Sequence, residues 1–190
     1  TYKQAILLLG ARQVGKTTLL KRLFPHAQYL LLDNSGVKNI LETYDLATYR
    51  QLLNQSSELI FDELHLLKNP GLAVKIIYDQ LPKTQLIITG SSSFHIKNKT
   101  GESMAGRKID YHLHPLTFSE YLTQKQIEPQ LNFNILDNLI LPNNLKPHLF
   151  SSEEIVNNAL LYGLYPELIN LPQNIPYLRN LADSVVFQDL

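Results

Sequence analysis

Short apolar runs alternate with longer stretches of helical periodicity along the first two-thirds of the chain. Gln4–Leu9, Gln28–Leu32, Glu58–Phe61, Gln85–Thr89 and Lys108–Leu113 read as strands. Between and after them, Thr18–Phe24 reads as a helix stopped near Pro25, and Val37–Leu53 is mostly helical in pattern. Pro70 stands at a first helical position of a helix running to about Leu81, ahead of Pro82. Thr117–Gln126 reads as a helix opened by a Thr117-to-Glu120 capping box. The strands are continuous apolar runs, the pattern of a parallel sheet covered on both faces. Strand–helix–strand repetition implies right-handed crossovers. The predicted class is therefore α/β, with a mainly parallel five-stranded sheet flanked by helices.

The remainder is organised differently. Glu128–Phe150 is rich in Asn, Pro and Leu and reads as a linker or insertion. Ser151–Glu154 is a second capping-box pattern, opening a helix that stops near Gly163, and Pro176–Leu190 is an amphipathic helix. The expected division is a core over 1–127, a linker over 128–150, and a small helical lid over 151–190. The chain starts with Thr1, enters a strand almost at once, and finishes in a helix without a stop signal. That pattern predicts a fragment of a longer protein, with the final helix leading into a missing C-terminal domain.

Composition narrows the classes. Of 190 residues, 44% are hydrophobic and 18% charged, enough apolar material for a substantial core. Lys plus Arg and Asp plus Glu are both 17, so there is no global basic footprint for nucleic acid or anionic membranes. With no cysteine, disulfides, thiolate metal sites and a cysteine nucleophile are excluded. Neither a signal peptide nor a membrane-spanning run is visible. These features together predict a cytoplasmic protein.

The chemistry concentrates after the first strand. Gly10-Ala11-Arg12-Gln13-Val14-Gly15-Lys16-Thr17 matches G-x-x-x-x-G-K-[ST] in full. Glycines let the backbone wrap with its N–H groups turned inward, and the next helix presents its positive N-terminus to the same anion. Gly10 to Thr18 form the expected phosphate cradle, with Lys16 on the β- and γ-phosphates and the Thr17 hydroxyl on Mg²⁺. A strand before the motif and a helix after it are the required context, and both are present. This P-loop assigns the sheet to the NTPase type.

Leu59-Ile60-Phe61-Asp62-Glu63 is an apolar strand ending in two carboxylates. Adjacent carboxylates repel unless a cation sits nearby, and a metal–phosphate site supplies one. Asp62 is expected to hold the Mg²⁺ through a water, and Glu63 to act as general base on the attacking water. Asn98-Lys99-Thr100-Gly101 has glycine where a guanine-reading motif needs aspartate, so ATP is favoured over GTP.

Other candidates surround this pair. Thr89 or Ser91, after the fourth strand, is placed to sense the γ-phosphate. Arg107 is a candidate to stabilise charge on the transferred phosphoryl group, from its own or a neighbouring subunit. Arg12 faces either phosphate or a partner surface. Asp62-Glu63-Leu64-His65 spells the D-E-x-H box of certain helicases, but no further nucleic-acid motif accompanies it, and His65 reads as a packed or capping histidine.

Gly10 to Leu20 resembles the P-loop of a prokaryotic AAA-type ATPase family whose members usually carry a C-terminal restriction-endonuclease-like domain of unknown function. The similarity continues in order: Phe61-Asp62-Glu63 with Pro70-Gly71-Leu72, Ile88 to Ser93, Met104-Ala105-Gly106-Arg107, Leu113 to Tyr121, and Tyr162-Gly163-Leu164-Tyr165-Pro166-Glu167. The resemblance implies an additional-strand ATPase core with a helical lid, raises Ser91 and Arg107 as functional candidates, and implies a further C-terminal domain. The leading expectation is Mg²⁺-dependent ATP binding and hydrolysis, with homo-oligomerisation as an accompanying expectation. Two alternatives stand beside it: a nucleotide-binding switch with little turnover, and a DNA-handling ATPase acting through the missing domain.

Overall fold

The computed structural model describes residues 4–53, 56–90, 104–124, 152–170 and 174–188. Two compact units emerge, one up to His114 and one spanning Pro115–Val186. The first is built on five strands, β1 (Ala5–Leu9), β2 (Gln28–Leu31), β3 (Glu58–Asp62), β4 (Gln85–Gly90) and β5 (Lys108–His112). They pair in the order β2-β3-β4-β1-β5. All pairings are parallel, with Leu9 opposite both Gly90 and His112 and Leu31 opposite Asp62. The α/β expectation and the five-stranded parallel sheet are thus borne out.

Period-2 alternation within the apolar runs divides the core into two faces. Leu7, Leu9, Leu30, Leu59, Phe61, Leu86 and Ile88 point to one face, where helices α2 (Ser35–Leu41), α3 (Leu46–Leu52) and α4 (Pro70–Gln80) contribute Leu41, Tyr49, Val74 and Ile77. Leu8, Ile60 and Ile87 point to the other, against Leu20 of α1 (Lys16–Leu23). Both faces are covered, so the central strands had no polar side to display. Edge strand β5 differs, with Ile109 and Tyr111 40% and 51% exposed.

The segment Val37–Leu53, mostly helical in pattern, falls in two helices, α2 and α3. Tyr44 takes a left-handed conformation (φ 52°) after α2, and Asp45 caps α3 by accepting from the Thr48 amide at 2.8 Å. An Asp side chain that satisfies an orphan amide starts a new helix rather than continuing the old one.

The second unit contains α5 (Phe118–Gln124), α6 (Ser152–Tyr162), α7 (Pro166–Asn170) and most of α8 (Ile175–Gln188). The Thr117–Glu120 capping box is reciprocal: Glu120 Oε2 accepts from the Thr117 amide at 2.7 Å, and Thr117 Oγ1 accepts from the Glu120 amide at 3.2 Å. Gly163 ends α6 with a left-handed φ of 75°, its amide donating to Ala159 O. Residues 125–151, which include the whole Glu128–Phe150 segment, lie outside the described residues.

Candidate nucleotide-binding site

The loop between β1 and α1 wraps as its motif demands. Gln13 (φ 62°) and Gly15 (φ 95°) are left-handed, and Gly15 caps α1 through its carbonyl, which accepts from the Leu19 amide at 2.9 Å. Gly10 is required by proximity. A Cβ there would stand 2.2 Å from the carbonyl oxygen of Leu113, at the end of β5. Val14 is buried and anchors the loop, while Gln13 and Thr18 are exposed and Ala11 and Arg12 are half-buried.

Lys16 is folded back into this loop. Its Nζ donates to Gly10 O at 2.8 Å and to Ala11 O at 2.7 Å, and the side chain is only 7% exposed. An ammonium held this way sits inside the curve of the loop, where phosphate oxygens would be stronger, charge-assisted acceptors than neutral carbonyls.

Three strands bring the rest together. Asp62, the last residue of β3, is 5% exposed. Its Oδ2 accepts from Thr17 Oγ1 at 3.0 Å, and its Oδ1 accepts a short hydrogen bond from Thr89 Oγ1 of β4. Two hydroxyl donors on one carboxylate offset much of the cost of burying it. Thr17 belongs to α1, so the bond joins the P-loop helix to β3, while Thr89 joins β4. Sequence order put these residues 45 and 27 positions from Asp62; the β3-β4-β1 neighbourhood makes them adjacent.

Among the described residues no three His, Cys, Asp or Glu side chains form a metal-holding group. Thr17 Oγ1 and the Asp62 carboxylate are a hard-oxygen pair. They suit Mg²⁺, which keeps waters and takes one or two protein oxygens beside substrate phosphates.

Glu63 follows Asp62 in a left-handed conformation (φ 59°, ψ 41°), before a 3₁₀ turn over Leu64–Leu66. Its Oε2 lies 3.1 Å from His65 Nδ1. The sequence reading of His65 as a packed or capping residue missed this contact; the signal was the i, i+2 spacing at a strand end, where a tight turn brings alternate side chains together.

Arg107 is not brought to the phosphate loop within the chain. It precedes β5, and its carbonyl accepts from the Ala5 amide at 2.8 Å, at the start of β1. The P-loop leaves the other end of β1, so roughly 16 Å of parallel strand separates them, at ~3.3 Å per residue. The guanidinium lies 3.8 Å from Asp79 and over the Tyr78 ring, both at the C-terminal end of α4. These residues, with Gln4 and Gly106, line a cleft of about 530 Å³ at that lower edge. Ser91 and the Asn98–Gly101 segment lie outside the described residues.

A parallel sheet ordered 2-3-4-1-5, with a complete G-x-x-x-x-G-K-T loop on its β1–α1 turn and a buried aspartate at the tip of β3, defines a P-loop ATPase domain. The particular family is the AAA domain: its model matches residues 2–122, and the chain belongs to it. An uncharacterised Methanocaldococcus jannaschii protein, MJ1637, is 29% identical over 213 residues, covering 99% of this chain and 44% of its own length. A Haemophilus influenzae protein, also uncharacterised, is 24% identical over 97% of this chain and 45% of its own. The chain thus spans less than half the length of these relatives. Among solved structures, a Pyrococcus horikoshii signal-transduction ATPase with numerous domains and a tetratricopeptide repeat sensor matches 88% of this chain and 27% of its own, at 15% identity and a TM-score of 0.51. That likeness concerns the fold.

Proposed function

We propose that this domain binds ATP with Mg²⁺ and hydrolyses it. The observation that carries the reading is the convergence of Thr17 and Thr89 on buried Asp62, beside a lysine folded into the phosphate loop. Lys16 and the loop amides from Gly10 to Thr18 bind the phosphates. Thr17 and Asp62 hold the metal, which when bound neutralises charge on the β- and γ-phosphates. Thr89 fixes the Asp62 carboxylate. Glu63 takes a proton from water as that water's oxygen bonds to the γ-phosphorus and the bond to the ADP oxygen breaks, releasing ADP and phosphate. Glu63→Gln is expected to bind ATP like the parent and to lose turnover by ~10²-fold or more; parental turnover in that variant would refute the assignment.

Arg107 lies at the far edge of the sheet from its own P-loop, beside Asp79 and Tyr78. We assign it to the phosphate site of a neighbouring subunit in a homo-oligomer. The relatives' greater length supports a further domain that carries the output, with the cytoplasm as the place of action. No helix among the described residues is long and apolar enough to cross a membrane.

A further inference from the structure

Whichever partner receives the output, hydrolysis must depend on where the Glu63 carboxylate points, and the structure supplies a device that sets it. The 3₁₀ turn after Glu63 is pinned by Leu64 and Leu67, each 1% exposed in the main core, and is closed by the Leu66 amide donating to Glu63 O at 3.0 Å. His65 hangs from this pinned turn. Its Nδ1 is shielded from solvent and has no well-aligned hydrogen-bond partner, yet Glu63 Oε2 stands 3.1 Å from it. A shielded ring nitrogen with an acceptor at that distance is costly unless it donates to it. The imidazole hangs from the pinned turn and presents its shielded Nδ1 to the Glu63 carboxylate.

We propose that His65 is the positioning residue for Glu63. Its Nδ1–H donates to Oε2 and so orients the carboxylate that takes the proton of the attacking water. This role rests on the reading of Glu63 as general base. His65 acts through Glu63 and is assigned no contact of its own with nucleotide or metal. Holding a base within a few tenths of an ångström of its working place costs little in binding and returns its value only in the chemical step. The effect belongs in kcat, with KM unchanged.

Two measurements on the full-length protein test it. Nitrogen chemical shifts of His65, recorded where the ring is neutral, should show the Nδ1–H tautomer in the parent and the Nε2–H tautomer in Glu63→Leu; this readout needs no turnover. In steady-state kinetics, His65→Leu should lower kcat about tenfold at unchanged KM, and His65→Asn, whose amide nitrogen stands near the place of Nδ1, should recover to within about threefold. In a Glu63→Gln background His65→Leu should cost nothing more, because the two act as one unit. A parental Nε2–H tautomer, an equal fall in the Leu and Asn variants, or an additive loss beside Glu63→Gln overturns the positioning role. Parental turnover in Glu63→Gln alone overturns the base assignment beneath it.

Discussion

Gly10→Ala gives the sharpest test of how the cradle is built. The added methyl would meet backbone, 2.2 Å from Leu113 O and 3.2 Å from Leu113 C. Comfortable carbon–oxygen contact begins near 3.3 Å, so the loop or the end of β5 must retreat by about 1 Å. Retreat is resisted because the Leu113 amide donates to Leu9 O at 2.7 Å, one residue before the glycine. Overpacking costs about 1–3 kcal/mol and a weakened ladder bond about 1 kcal/mol, so the expected loss is about 2–4 kcal/mol. For a chain of this size that lowers the melting temperature by roughly 10 °C. A loop displaced by ~1 Å also misplaces its amides, and ATP affinity should fall by about 10²-fold. Gly15→Ala is the internal control. A Cβ there meets nothing within 4 Å, and the φ of 95° alone should cost about 1 kcal/mol, a few degrees of melting temperature. Calorimetric melts of the two variants decide. A Gly10→Ala protein melting within about 2 °C of the parent, or above Gly15→Ala, would refute the close-approach reasoning.

Thr89→Val removes one of two hydroxyl donors to buried Asp62 while keeping shape. It should destabilise the fold by about 1.5–3 kcal/mol in thermal or urea unfolding and weaken Mg²⁺-dependent ATP binding; an unchanged midpoint would remove Thr89 from the site's support. Acid should loosen α3 selectively. The Thr48 amide and then the Thr48 hydroxyl hold the Asp45 carboxyl below the usual carboxylate range. A depressed folded-state value means the cap's contribution is fully present above about pH 4 and is lost as pH falls through the folded value. Protection of the α3 amides, relative to their intrinsic exchange rates, should therefore fall as pH drops below about 4, and that dependence should flatten in Asp45→Asn; equal acid sensitivity in both proteins would refute the cap's role.

What could be read in advance follows from locality. The P-loop is eight consecutive residues, and the strand before it and helix after it are its immediate neighbours, so Gly10 to Thr17 marked a candidate phosphate cradle without any tertiary knowledge. Continuous apolar strands likewise declared a sheet covered on both faces. Glu63 and His65 are local too, but the left-handed step that folds one onto the other leaves no mark in residue type, since Glu is not a residue that favours φ above zero. The same holds for Tyr44, whose φ of 52° splits a segment that is mostly helical in pattern. Thr89 was legible as a polar residue at a strand end; that it grips Asp62 depends on β3 lying beside β4. Leu113, whose carbonyl makes Gly10 obligatory, lies about a hundred residues away and carried no signal. Arg107 was legible as a loop arginine. Only parallel pairing of β1 and β5 reveals that the loop before one strand and the loop after the other lie at opposite edges of the sheet.

The central claim is that Lys16, Thr17 and Asp62 form a Mg²⁺–ATP site. Calorimetric titration of the chain with ATP and with GTP, each in Mg²⁺ and in EDTA, tests it most directly, with Lys16→Ala in parallel. The account predicts saturable binding that prefers ATP, strengthens with Mg²⁺, and weakens by ~10²-fold or more in Lys16→Ala, which loses its charged hydrogen bonds to phosphate. Absence of binding to either nucleotide, or binding indifferent to both Mg²⁺ and Lys16, would contradict it.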